Sequence, residues 1–214
     1  MLSLPNVTLD PFTPVEAVST LQAQLAYNEA DSISASAART VKLAVCVDLD
    51  GTLISEDVTI CALKIFVRHN PLNVFKVAWW FLHGRAYLKR ELAVRIDLDV
   101  ANLSYNKKLI DFLMKKKQNG YRLFLATACD RLYAEKIADF IQIFNGVFAS
   151  DGQINLRAEA KANALVTMFG EGNFAYAGNS MDDVHVWSKS AECILVNPTK
   201  SVLKAMRNRK YLLF

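Results

Sequence analysis

Between Lys42 and Asn197 short apolar runs alternate with stretches of helical period, and no other property of the chain narrows its fold as far. The runs "KLAVCVDLD", "YRLFLATA", "GVFAS", "FAYAG" and "ECILVN" are of strand length and rich in Val, Ile, Phe and Tyr. Helical patterns lie between them. "NKKLIDFLMKKKQNG" carries Leu109, Phe112 and Leu113 on one face, with Gly120 as its left-handed stop. "DRLYAEKIADFIQIF" spaces Tyr133, Ile137, Phe140, Ile141 and Phe144 along one stripe. "RAEAKANALVTMFG" ends at Gly170, and "SMDDVHVWSKS" makes a shorter helix. Buried strands separated by helices predict an α/β domain, a parallel sheet covered on both faces. Such sheets bind ligands outside the carboxyl ends of their strands.

Two segments depart from the alternation. Residues 1–40, with "LPNVTLDPFTP" and the Ser- and Ala-rich "NEADSISASAART", read as a partly disordered leader. Residues 56–105 contain only helical pattern, in "EDVTICALKIFVRHN", "PLNVFKVAWWFLHG" and "AYLKRELAVRI". This insertion directly follows the first strand, so it is expected to cover that strand's end as a helical lid, with residues 41–55 and 106–214 forming the core. A length of 214 residues suits that arrangement. The net charge of +4 is too mild to call for a nucleic-acid partner. Cys46, Cys61, Cys129 and Cys193 are spread without metal or redox spacing, as reduced thiols would be. The first residues lack a signal-peptide pattern, and "NVFKVAWWFL" is too short to span a bilayer. A soluble, cytoplasmic chain is the expectation.

Chemistry gathers at the strand ends. The first run finishes in Asp48-Leu49-Asp50-Gly51-Thr52, and strand alternation points both carboxylates to one side. Two like charges so close raise each other's pKa unless a cation sits between them, so a metal or a phosphoryl group is the natural guest. The second run ends at Thr127 and Ala128, Lys161 stands near the start of the helix after the third, and the fourth runs into "AGNSMDD". Hard oxygen donors suit Mg²⁺, while a hydroxyl and an ammonium suit the charge on transferring phosphoryl oxygens.

In this order "DLDGT", Thr127, Lys161 and "GNSMDD" resemble the four motifs of the haloacid dehalogenase superfamily of phosphotransferases. The resemblance implies a Rossmann-like fold with a small helical cap after the first strand, and a Mg²⁺-dependent phosphatase working through an aspartyl-phosphate. By that likeness Asp48 is the nucleophile and Asp50 the acid and base. Thr127, Ala128 and Lys161 hold the phosphoryl oxygens, and Mg²⁺ draws its ligands from Asp48, Asp50, Asn179, Asp182 and Asp183. "LKRELAVRIDLDVANLSYN", "LATACDR", "ASDGQINL" and "YAGNSMDDVHVW" are more closely similar to the domain that precedes UbiA-type prenyltransferases in bacterial fusion proteins. That likeness implies a membrane-associated prenyltransferase as partner or neighbouring domain. With Phe75, Val77, Trp79, Trp80, Phe81 and Leu82 in the lid, the substrate expected is a prenyl or other apolar phosphomonoester.

Each residue has a plainer reading when taken alone. Thr127 is then an ordinary strand end, Lys161 a solvated helix lysine, Asp182 and Asp183 first-turn acids favoured by the helix dipole, and Asp48 and Asp50 turn caps. Their joint order and spacing favour the phosphate site. His69, His83 and His185 have no ligand spacing, and Cys129 reads as a structural thiol. Asn179 stands where the family most often has Asp, so the alternative is a binding or regulatory module without turnover. The weakest reading is a lipid-surface role for Trp79, Trp80 and Phe81, since dense aromatics usually pack a lid onto its core.

Overall fold

A computed structural model describes residues 43–214; the expected leader lies outside the described residues. Six parallel strands form one sheet: β1 Ala44–Val47, β2 Leu123–Asp130, β3 Gly146–Ser150, β4 Phe174–Gly178, β5 Glu192–Leu195 and β6 Tyr211–Leu213, in the order β3-β2-β1-β4-β5-β6. Strand β1 lies at the centre, where Cys46 faces Phe124 on one side and Tyr176 on the other. Its residues are all buried because both faces are covered. Val45 and Val47 join Leu109 and Leu113 of α4 (Lys107–Gln118) and Tyr133 and Ile137 of α5 (Arg131–Ile141). Ala44 and Cys46 face the opposite cluster, built on Leu165 of α6 (Glu159–Phe169), Trp187 of α7 (Asp183–Lys189) and Met206 of α8 (Lys200–Met206).

The insertion is helical. Helices α1 Val58–His69, α2 Asn73–Leu82 and α3 Arg85–Ala93 follow β1, and a 3-10 turn at Val100–Asn102 leads back to the core. Asp57 caps α1 by accepting from the Ile60 N–H. The lid is tied down from several sides. Tyr133 Oη donates to the Ile96 carbonyl at 2.7 Å, and Arg90 pairs with Asp130 at 3.1 Å.

Three local expectations change. Strand β2 continues past Thr127 to Asp130, because its register against β3 shifts between Ala126 and Asp130; an irregularity of this kind re-aims side chains beside a site. Helix α5 stops at Ile141, before Phe144, because Gln142 turns left-handed and Asn145 must reach Leu123 to open β3. Strand β6 and helix α8 were not anticipated in the basic stretch after Asn197. Each is too short to show a period, and three exposed residues become a strand only because β5 offers its edge.

The lid aromatics divide against expectation. Trp80 is buried on Phe66, with ring centroids 5.0 Å apart, but Trp79 and Phe81 remain 60% and 53% exposed. Dense aromatics here do not all pack inward.

Candidate active site

Asp48 leaves the end of β1 almost wholly buried, at 7% exposure. Its Oδ1 accepts from Lys161 Nζ at 2.7 Å, while Oδ2 accepts a long hydrogen bond of 3.5 Å from Thr52 Oγ1. One carboxylate oxygen is thus held by the ammonium and the other more loosely. Lys161 reaches the sheet from the first turn of α6, which Ala158 begins at φ 50°, ψ −117°, a strained backbone for a residue with a side chain. The ammonium also donates to Tyr176 Oη at 2.8 Å.

Asp183 completes a buried cluster. Its Oδ1 accepts from the Tyr176 hydroxyl at 2.7 Å, and its Oδ2 accepts from the Asn179 N–H, the Ser180 N–H and the Ser180 hydroxyl at 2.8–3.0 Å. Burial opposes its charge, but Lys161, Tyr176 and Ser180 outweigh it and hold Asp183 below the usual carboxylate range. These contacts make the Asp183 carboxylate a brace for the loop and for Lys161. Asp182 turns to Arg157 at the rim of the crevice and makes an ion pair there. Both aspartates nevertheless line the crevice.

Asp50 takes a different environment. Its Oδ1 accepts from the Val58 N–H at 2.8 Å, so it meets the first turn of the lid. Burial, opposed by that N–H, pushes its carboxyl up to about 7; repulsion from Asp48 is a smaller contribution. Asp48 is raised to about 6, again chiefly by burial, with Lys161 opposing and Asp183 adding. Desolvation, more than mutual repulsion, sets the pair apart, and Lys161 sits on Asp48 and not between the two carboxylates.

Both aspartates line a crevice of about 650 Å³ closed on one side by the lid. Ala128, Lys161, Asn179, Asp182 and Asp183 share its wall, but Thr127 does not. Thr127 is wholly buried, with Oγ1 accepting from the Cys129 N–H at 3.0 Å, so it shapes the irregular end of β2 while Ala128 faces the space. Arg85, Lys89 and Arg157 add positive charge that motif reading did not assign, and Ile60, Phe81 and Leu88 add an apolar side. Lys89 donates to the Ala128 carbonyl and to Asn155 Oδ1, joining the lid to the core across the crevice. Burial lowers its pKa, opposed by Cys129 and Asp50. Tyr176 was also missed, although a tyrosine in a fully buried strand signals that its hydroxyl needs a partner.

Among the described residues no three carboxylate, imidazole or thiol side chains are gathered for a metal ion. Asp48, Asp50 and Asn179 offer oxygen donors on the crevice wall. Gly51 brings them close. Its φ is +74°, and a Cβ there would lie 2.1 Å from Asn179 Nδ2, so the amide occupies the space a side chain would fill. The Asp48 carboxylate, the backbone carbonyl of Asp50 and a neutral amide fit a hard ion that keeps much of its water, as Mg²⁺ does.

No family model matches the chain. A protein of Sinorhizobium fredii, described as uncharacterized protein y4nM, is 32% identical over 155 residues, covering 72% of this chain. The chain spans only 30% of that relative's length. Among solved structures, a protein of unknown function from Bordetella pertussis Tohama I superposes with a TM-score of 0.64 at 15% identity, over 81% of this chain and 98% of that one. A phospho-aspartyl intermediate analogue of phosphoserine phosphatase superposes with a TM-score of 0.54 at 16% identity, over 80% and 93%. The fold is that of the haloacid dehalogenase hydrolases. At these identities the likeness is one of fold.

Proposed function

We propose that the chain is a Mg²⁺-dependent phosphatase that hydrolyses a phosphomonoester through an aspartyl-phosphate. The observation that carries this reading is the unequal treatment of the Asp48 oxygens, one held by Lys161 and one reached only by a long bond from Thr52, beside a carboxyl raised to about 7. The loosely held Asp48 oxygen attacks phosphorus. The ester P–O bond breaks, and Asp50 gives its proton to the leaving alkoxide. Asp50, now a carboxylate, takes a proton from water as that water attacks phosphorus, which breaks the aspartyl P–O bond and frees phosphate and Asp48. Lys161 and the backbone at Ala128 hold the equatorial oxygens, and Thr127 positions that backbone. Mg²⁺, held by the Asp48 carboxylate, the backbone carbonyl of Asp50 and Asn179, would supply charge neutralisation for the phosphoryl group. The phospho-aspartyl analogue described for phosphoserine phosphatase, on the same fold, supports the covalent route.

The substrate proposal is a phosphomonoester with an apolar or prenyl tail. Its structural basis is narrower than the lid sequence implies. Of the residues expected to line the site, Phe81 does, joined by Ile60 and Leu88, while Phe75, Trp79 and Leu82 are turned away. A membrane-associated prenyltransferase as partner and a cytoplasmic location belong to the same proposal. The test is a panel of sugar phosphates and prenyl phosphates assayed with and without Mg²⁺, alongside Asp48→Asn. Mg²⁺-dependent release of phosphate that falls by at least about a thousandfold in a folded Asp48→Asn protein is the expected result. Retained activity in that variant would overturn the mechanism, and equal or faster turnover of sugar phosphates would overturn the substrate class.

A further inference from the structure

Helix α2, "NVFKVAWWFL", is apolar except at Asn73 and Lys76, yet only Asn73 and Trp80 are buried. A helix of that composition normally lies in a core or in lipid. Leu72 just before it is 66% exposed, and Phe75, Trp79 and Leu82 are 72%, 60% and 79% exposed. Their spacing of three and four places them on one stripe, too contiguous for scattered surface hydrophobics. The stripe continues around the helix to Phe81, which lines the mouth of the crevice.

Charge identifies the occupant. From Val58 to Arg90 every charged side chain is Lys or Arg, with no Asp or Glu. Lys89 and Arg90 turn inward to Ala128, Asn155 and Asp130. Lys64, Arg68, Lys76 and Arg85 are exposed, and among the described residues none has an ion-pair partner. Exposed leucine and aromatic side chains in a stretch, Val58 to Arg90, whose exposed charges are all unpaired cations match a layered partner, apolar beneath an anionic surface. No helix among the described residues is long and apolar enough to cross a membrane.

We propose that this lid face seats on an anionic lipid bilayer, with Leu72, Phe75, Trp79 and Leu82 inserted at the headgroup boundary and Lys64, Arg68, Lys76 and Arg85 on the lipid charges. Docked in this way, the molecule turns the Phe81 side of its crevice toward the membrane, where the head of an amphiphilic ligand is presented. Of the residues on this surface only Arg85 also lines the crevice, and the surface is tested without turnover.

The experiment is co-sedimentation of the 214-residue chain with vesicles of phosphatidylcholine, with or without about one-third phosphatidylglycerol. Binding to the anionic vesicles is expected, weakened on the order of 100-fold by Phe75→Ser/Trp79→Ser/Leu82→Ser and at least about tenfold by Lys64→Glu/Lys76→Glu. All five positions are exposed, so circular dichroism should show the fold retained. No binding to anionic vesicles, or binding that survives both sets of substitutions, overturns the proposal. So does a dimer in sedimentation velocity that the triple substitution dissociates while vesicle binding is absent, because a second copy would then cover the face.

Discussion

Replacing Asp50 by Asn should make the metal-free protein more stable at neutral pH while removing its activity. Burial raises the Asp50 carboxyl from the ordinary 3.8 to about 7. Between those values the folded chain binds a proton that the unfolded chain has released, so the group's contribution falls as pH rises through that window. Below 3.8 both states are protonated and the substitution is neutral. Above 7 both are ionised, and the wild type carries the full penalty of a desolvated charge. The linkage is worth at most about 4 kcal/mol, and the crevice-facing side of Asp50 reduces it to about 2 kcal/mol. Asn keeps an oxygen for the Val58 N–H, so the cap on the lid survives. A change of about 2 kcal/mol is about 4–8 °C in Tm for a domain of this size. The assay is thermal melting of both proteins in EDTA from pH 5 to pH 8, with the gap widening as pH rises. Equal melting at pH 8, or a gap widest at pH 5, would refute the argument from desolvation. In the same samples with Mg²⁺ restored, turnover by Asp50→Asn should be lower by about 10²–10⁴-fold, as loss of a general acid and base requires.

Three further outcomes follow from the site. Gly51→Ala places a Cβ at positive φ and 2.1 Å from Asn179 Nδ2, so it should lose about 3 kcal/mol of stability in urea unfolding and weaken Mg²⁺ binding in calorimetry. Ala158→Gly removes a side chain from a backbone at φ 50° and should stabilise the protein by about 1 kcal/mol in the same urea assay. Asn179→Asp adds a charge to a donor set short of carboxylates, so calorimetry should show tighter Mg²⁺ binding. Where wild type binds no Mg²⁺ at millimolar concentration and the substitution restores both binding and turnover, the natural protein is a binding module, not an enzyme.

The alternation of apolar runs and helical stretches already determines the sheet and its helices, because strands buried on both faces cannot read any other way. The motif order likewise brings Asp48, Asp50, Lys161 and Asn179 to one end of that sheet, since strand ends converge in a parallel α/β fold. Local sequence carries no information on which oxygen of a carboxylate is held more loosely or which acid is already engaged. That Asp183 is engaged by Tyr176, Ser180 and Lys161, and Asp182 by Arg157, is visible only in the tertiary structure. Lys89 enters the crevice only because the lid folds back over β2, a contact between residues 39 apart. The strand at Tyr211–Leu213 exists only beside β5. The same limit hid the exposed face of α2. An apolar helix buries whichever side its neighbours cover, and only the packing of α1 and α3 decides that Trp80 turns inward while Trp79 faces solvent.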